Sequence, residues 1–119
     1  MSFVPAPIKP AVPFTVLEQL DVRVGRIVAV DDVPQSKKLV QLRVDFGDHQ
    51  RNILSGLKTE RPDVSVLVGR QALFVVNLEP RRMAGAVSEG MLFDLGYADG
   101  ITPVLAVPEG DVPNGTRAG

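Results

Sequence analysis

With 119 residues the chain has the length of one small domain, and 45% hydrophobic with 23% charged residues is the balance of a folded globular protein rather than a disordered one. It has no cysteine and a single histidine, His49, which excludes disulfide scaffolds, thiolate zinc sites, cysteine nucleophiles and Ser–His pairs within one chain. The formal net charge of −1 divides unevenly: Arg23–Arg82 holds 11 Lys or Arg against 7 Asp or Glu, whereas Met83–Gly119 holds only Arg117 against 5 acids.

Residues 1–13 carry Pro5, Pro7, Pro10 and Pro13 among apolar neighbours. Proline this dense forbids helix and favours an extended arm, either free or packed on a partner subunit. The same prolines break any signal helix, and no apolar run reaches the ~18 residues of a membrane span, so no membrane insertion and a cytoplasmic location are expected. Thr15 to Glu18 fits a capping box, predicting one helical turn led by Thr15. Val22–Val30 is β-branched and apolar, with Gly25 marking a bulge or bend in a long strand. After the turn-rich Asp31–Ser36, Val40, Leu42, Val44 and Phe46 alternate with Gln41, Arg43 and Asp45, the pattern of a half-buried strand. Gly47-Asp48 turns the chain into a third strand, Gln50–Leu54. Pro62 and Gly69 bracket a short helix within Thr59–Val68. Gln71–Asn77 reads as a buried strand, Pro80–Gly85 as a basic loop and Ser88–Leu95 as a fifth strand, with short pieces near Val104–Ala106 and Val112.

Three strands, a short helix and two more strands is the order of an OB-type Greek-key barrel: all-β, five-stranded, with the helix between strands three and four and extensions at both termini. A generic small β-barrel is the other arrangement this pattern allows. Residues 14–119 then form the barrel domain, and Gly25 sits where a first strand must bend to serve two sheets.

With acid–base and metal chemistry so poorly provided for, a non-catalytic chain needing no cofactor or metal is expected. No GxxxxGK[ST] loop is present to cradle ATP. The informative stretch is Asn77–Gly85. Arg81 and Arg82 on a proline-braced loop offer planar guanidinium forks to phosphates, bases or rings. Ser88 can donate to a phosphate or a 2′-hydroxyl, Gly90 admits close backbone approach, and Met83 and Met91 offer adaptable apolar surface. Lys37 and Lys38 lie in the loop between the first two strands, and Arg43 and Arg51 on the first hairpin, the usual oligonucleotide side of an OB barrel. Only 5 Phe and 1 Tyr are available, and Phe46 and Phe74 read as core, so structured RNA suits the chain better than melted single strands. His49 reads as a turn residue, not a general base.

Leu20–Gly25, Pro34–Leu39, Ile53–Leu57, Asn77–Met83 and Ser88–Met91 together resemble the tRNA-binding domain family from Phe14 to Gly119. Within it, Pro80–Gly85, Leu95-Gly96 and Val112–Thr116 are most similar to the CsaA secretion chaperones. That resemblance implies a homodimeric OB-fold chaperone that binds extended peptides of exported preproteins without ATP, its dimer built by the terminal segments. The alternative it implies is structure-specific tRNA binding through the same surface. Residues and resemblance together nominate Lys38, Arg51, Asn77, Arg81, Arg82, Met83, Ser88 and Met91 as the peptide- or tRNA-binding set. Glu79 stands where RNA-binding members of the family often carry lysine, and the acidic C-terminal third likewise weakens phosphate attraction.

Overall fold

Strict alternation in Val40–Asp45 sets the middle of the sheet: Val40, Leu42 and Val44 are fully buried while Arg43 between them faces solvent. The structure, a computed structural model, describes residues 3–119; the first two residues of the expected arm lie outside the described residues. A helix, α1 (Phe14–Glu18), precedes three long strands, β1 (Val22–Asp32), β2 (Val40–Asp45) and β3 (Gln50–Ser55). A 3-10 helix (Val64–Leu67) leads to β4 (Gln71–Val75). Five short strands follow: β5 (Arg81–Met83), β6 (Ala86–Ser88), β7 (Met91–Leu92), β8 (Asp94–Leu95) and β9 (Val104–Leu105). The main sheet runs β3-β2-β1-β4-β7, all antiparallel, and curls into a nearly closed barrel of the OB type.

β1 serves two partners. Val22–Arg26 pairs with β4 and Arg26–Asp32 with β2, so the strand hands over from one neighbour to the other at Arg26. Gly25 belongs to this corner because nothing larger fits: a Cβ there would sit 2.7 Å from Phe46 Cε1 and closer still to Val44 Cγ1. The bulge itself lies between Ile27 and Ala29, not at Gly25. Inside the barrel, Ile27, Leu42, Ile53, Leu57 and Phe74 are fully buried, and Phe46 meets Phe74 edge-on with ring centroids 5.5 Å apart.

Several local expectations change. The turn before β1 starts at Phe14 with Pro13 as its N-cap and no side-chain cap, so Thr15 does not cap it. Pro13 already holds the extended backbone an N-cap requires. The helix between β3 and β4 is a single 3-10 turn capped by the Asp63 carboxylate accepting from Ser65 N–H. The expected fifth strand is broken into β6, β7 and β8, and the expected basic loop is itself half of a hairpin, β5–β6. Val112 lies outside any strand; its segment docks instead on buried Gln71, whose side-chain amide donates to Val112 O at 2.6 Å.

The C-terminal residues complete the barrel wall. Thr116 O accepts from Val24 N–H, Gly115 N–H donates to Val24 O and Ala118 N–H to Val22 O, so the tail runs beside the first half of β1. The Asp21 carboxylate anchors it, accepting from Arg23 at 3.0 and 3.1 Å and from Arg117 at 3.3 and 3.4 Å. The Arg23 hydrogen bond, aided by Arg117 against a partial desolvation penalty, holds the Asp21 carboxyl below its ordinary value. A carboxyl lowered in the folded state stabilises fully above its unfolded pKa of about 3.9, and that contribution drains away as pH falls through the lower folded value. Asp21→Asn should therefore lower stability at pH 7 by about 1 kcal/mol or less, and by progressively less as pH falls below about 4, read from urea unfolding across that range.

Candidate functional site

The β5–β6 hairpin is closed by a two-residue turn at Ala84-Gly85, both with positive φ (51° and 81°), the geometry of tight hairpins whose twist matches the strands. Its tip rests on the β1–β2 loop: a Cβ at Gly85 would lie 2.8 Å from Gln35 Oε1. That loop is preformed. Lys58 Nζ donates to Val33 O and Ser36 O and pairs with Asp32, while Ser36 Oγ accepts from the Lys38 and Leu39 amides. Two basic segments 44 positions apart in sequence, Lys37-Lys38 and Arg81-Arg82, are thereby brought to neighbouring positions on one side of the barrel.

The fate of the basic residues from Arg23 to Arg82 is selective. Arg23, Arg26, Arg43, Arg51, Lys58, Arg61 and Arg70 each donate to carbonyls, carboxylates or other polar side chains. Lys37, Lys38, Arg81 and Arg82 are exposed and hold no side-chain hydrogen bond or ion pair among the described residues. All four uncommitted cations are the ones at the hairpin and its supporting loop.

Alternation along β5 sends Arg81 and Met83 to one face and Arg82 to the other. Arg81 and Met83 border a cleft of about 140 Å³ completed by Leu54, Leu78, Glu79, Ser88, Gly90 and Met91. Met91 is 44% exposed at its mouth. The lining is chiefly apolar, with a cation and a carboxylate at its rim.

Of the remaining nominated residues, Ser88, Arg51 and Asn77 are employed in holding this platform. Ser88, 2% exposed, accepts from Leu54 N–H at 3.0 Å through Oγ and donates to Gly90 O at 2.9 Å. Arg51 Nη1 donates to Val76 O and to Glu89 O at 3.0 Å, and its Nε donates to His49 Nε2 at 3.0 Å. Asn77 accepts from Asp21 N–H and donates to Gln19 O, tying the end of β4 to the segment before β1. Gly90 is needed for internal packing, since a Cβ would meet Val75 O at 2.8 Å. Lys38 projects freely from the loop. Sequence reasoning missed Leu54, Leu78 and Gln35. Only the hydrophobic Leu78 next to Pro80-Arg81, with no partner in a periodic run, could have signalled a surface cleft.

A family model described as "Putative tRNA binding domain" matches residues 22–117. The methionine–tRNA ligase of Methanocaldococcus jannaschii is 39% identical over 102 residues, which is 85% of this chain but 15% of that enzyme. The chain thus spans a small part of that curated relative's length. Among solved structures, a MetRS related protein from Pyrococcus horikoshii superposes with a TM-score of 0.84 at 31% identity, covering 92% of this chain and 99% of that one. The chaperone CsaA from Bacillus anthracis superposes at 0.78 with 28% identity, covering 92% of this chain and all of that one.

Because buried Ser88 satisfies two backbone groups, Ser88→Ala leaves the Leu54 amide and the Gly90 carbonyl short of partners. The expected loss is about 1–3 kcal/mol in urea unfolding, while Val87→Ala, at an exposed position of the same strand, should cost far less.

Proposed function

The chain belongs to the tRNA-binding domain family, and we propose that it is a non-catalytic docking module for structured RNA of the tRNA type, acting in the cytoplasm. The observation that carries this reading is the set of four uncommitted cations, Lys37, Lys38, Arg81 and Arg82, gathered on a rigid hairpin and a pinned loop. Phosphate contacts supply most of the affinity for nucleic acid, and they need charges that are not already neutralised. Preorganisation adds to this, because the backbone presenting the charges loses little freedom on binding. A folded RNA offers phosphates at fixed spacings to such a platform, and the scarcity of exposed aromatics disfavours an unstructured strand. Arg81→Ala/Arg82→Ala should weaken tRNA binding at least tenfold in a gel shift near 150 mM salt. It should also reduce the slope of log affinity against log salt by about two. Unchanged retention by the double variant would sink this reading.

The cleft itself favours a second reading, peptide binding of the CsaA chaperone kind. Met83, Met91 and Leu78 form adaptable apolar surface beside cations, suited to extended segments that are partly apolar and acidic. Such binding would persist at 0.5 M salt, and the protein would suppress aggregation of an unfolded client without ATP. No suppression at an equimolar ratio removes the chaperone reading.

Either function would be exercised by a homodimer. Phe3, Val4, Ile8 and Val12 of the arm are exposed, Ile8 at 99%, and Phe14, Leu17 and Leu20 line an apolar cleft of about 500 Å³ together with the C-terminal residues. Apolar surface of this extent on a terminal arm is the kind that a second copy covers. Deleting residues 1–13 should convert a dimer to a monomer in size-exclusion chromatography with light scattering; a monomeric intact chain would refute the assignment.

A further inference from the structure

The Val112–Thr116 stretch, which neither functional reading uses, contains Asn114 followed directly by Gly115. In an Asn-Gly pair no side chain shields the glycine amide nitrogen from the asparagine side-chain carbon, so ring closure between them is least hindered. The other two asparagines, Asn52 and Asn77, precede Ile53 and Leu78, whose side chains obstruct that approach. The fold cannot dispense with the glycine. Gly115 holds a φ of 92°, and a Cβ there would run into the Phe46 carbonyl. Instead, contacts hold the pair apart. Gly115 N–H donates to Val24 O at 2.7 Å, and Asn114 Oδ1 accepts from Gln71 Nε2 at 2.9 Å. Thr116 N–H donates to Pro113 O at 3.1 Å, closing a turn with Asn114 and Gly115 at its centre. Ring closure needs the Gly115 nitrogen to give up its proton and the Asn114 side chain to swing onto it. The bonds to Val24 and Gln71 oppose both.

We infer that Asn114-Gly115 is a site of spontaneous deamidation, kept silent while the C-terminal tail is docked on β1 and opened when the tail lets go. In the reaction Gly115 N bonds to Asn114 Cγ and the Cγ–Nδ2 bond breaks. The Gly115 amide proton leaves with Nδ2 as ammonia, and a cyclic imide remains. Water then adds across either imide C–N bond, giving aspartate or isoaspartate without oxidant, reductant or cofactor. Beyond Gly115 the tail is held by Val24 N–H to Thr116 O, Ala118 N–H to Val22 O and the Arg117–Asp21 pair, with Thr116, Arg117 and Ala118 all exposed. Local opening of such a terminus costs far less than unfolding the barrel. The two products differ in consequence. Aspartate still offers Gln71 an oxygen acceptor. Isoaspartate routes the main chain through the former side chain and lengthens it by a methylene. The seat has no room for that: a Cβ at Gly47 would already lie 2.6 Å from Asn114 O, and Gly115 abuts the Phe46 carbonyl. An isoaspartyl tail therefore cannot return in register with β1, and the cleft at Phe14, Leu17 and Leu20 loses the wall formed by Arg117 and Ala118.

The test incubates the full chain at mildly alkaline pH and follows deamidation at Asn114 by peptide mass and isoaspartate content. The guanidinium-unfolded chain sets the intrinsic rate. The native chain should react about tenfold or more slowly than the unfolded one. Arg117→Ala should speed the native reaction about three- to fivefold, and deletion of residues 117–119 should speed it further, both with the cooperative urea transition of the barrel retained. Val24 N–H, whose partner is Thr116 O, should exchange faster with solvent in the purified isoaspartyl product and stay protected in Asn114→Asp. That exchange measurement does not depend on either tail variant folding. Equal rates in the native and unfolded chains overturn the inference, as do tail variants that react no faster than the native chain. An isoaspartyl product with Val24 still protected overturns it as well.

Discussion

Closure of the barrel between β3 and residues 88–89 is the constraint on which the functional face depends. Regular ladder bonds are few here, and side chains stand in for them. Ser88 Oγ accepts from Leu54 N–H, Glu89 Oε1 accepts from Asn52 N–H at 2.9 Å, and Glu89 N–H donates to Asn52 O at 2.8 Å. Arg51 then reaches across to the carbonyls of Val76 and Glu89. Each of these groups would otherwise be a desolvated donor or acceptor without a partner, so the seam is strongly favoured once the core has formed. Because Ser88 pairs with Arg81 in the hairpin, the same seam sets the height of β5 over Leu54 and therefore the depth of the cleft.

Charge is divided between structure and surface in a way that net charge conceals. Seven of the 11 basic residues between Arg23 and Arg82 are engaged within the barrel, four of them (Arg23, Arg26, Lys58 and Arg61) paired with carboxylates. Four remain uncommitted, and the folding of two short loops against each other concentrates them. An overall charge of −1 is consequently compatible with an anion-binding surface, since the field a few ångströms from four cations is governed chiefly by those cations. Glu79 is the local exception. Its carboxylate subtracts from phosphate attraction.

Much of the architecture was legible because it is written in short-range patterns. Alternation over Val40–Phe46 identified the central strand, the Gly47-Asp48 turn identified the hairpin, and the apolar run within Gln71–Asn77 identified β4 as buried. Gly25 flagged the corner of β1, although the reason proved to be the side chains of Val44 and Phe46 lying across it. The hairpin at Arg81–Ser88 was harder to read. Its strands have three residues each, too few for a period, and its turn uses Ala84 in a conformation that glycine usually occupies.

Composition and local pattern by themselves determined the class of the fold, the absence of thiol and multi-histidine chemistry, and the segments in which basic and apolar residues crowd together. Those properties need only neighbouring residues, whose spacing fixes which side of a strand each one takes. Tertiary structure alone decided which polar side chains are free. Ser88, Arg51 and Asn77 find their partners 34, 25 and 56 positions away, and only the closed barrel brings those carbonyls and amides within hydrogen-bonding reach. A serine, arginine or asparagine next to a basic stretch looks the same in sequence whether it awaits a ligand or joins two strands. The difference is a matter of long-range geometry, which desolvation enforces only after the chain has folded.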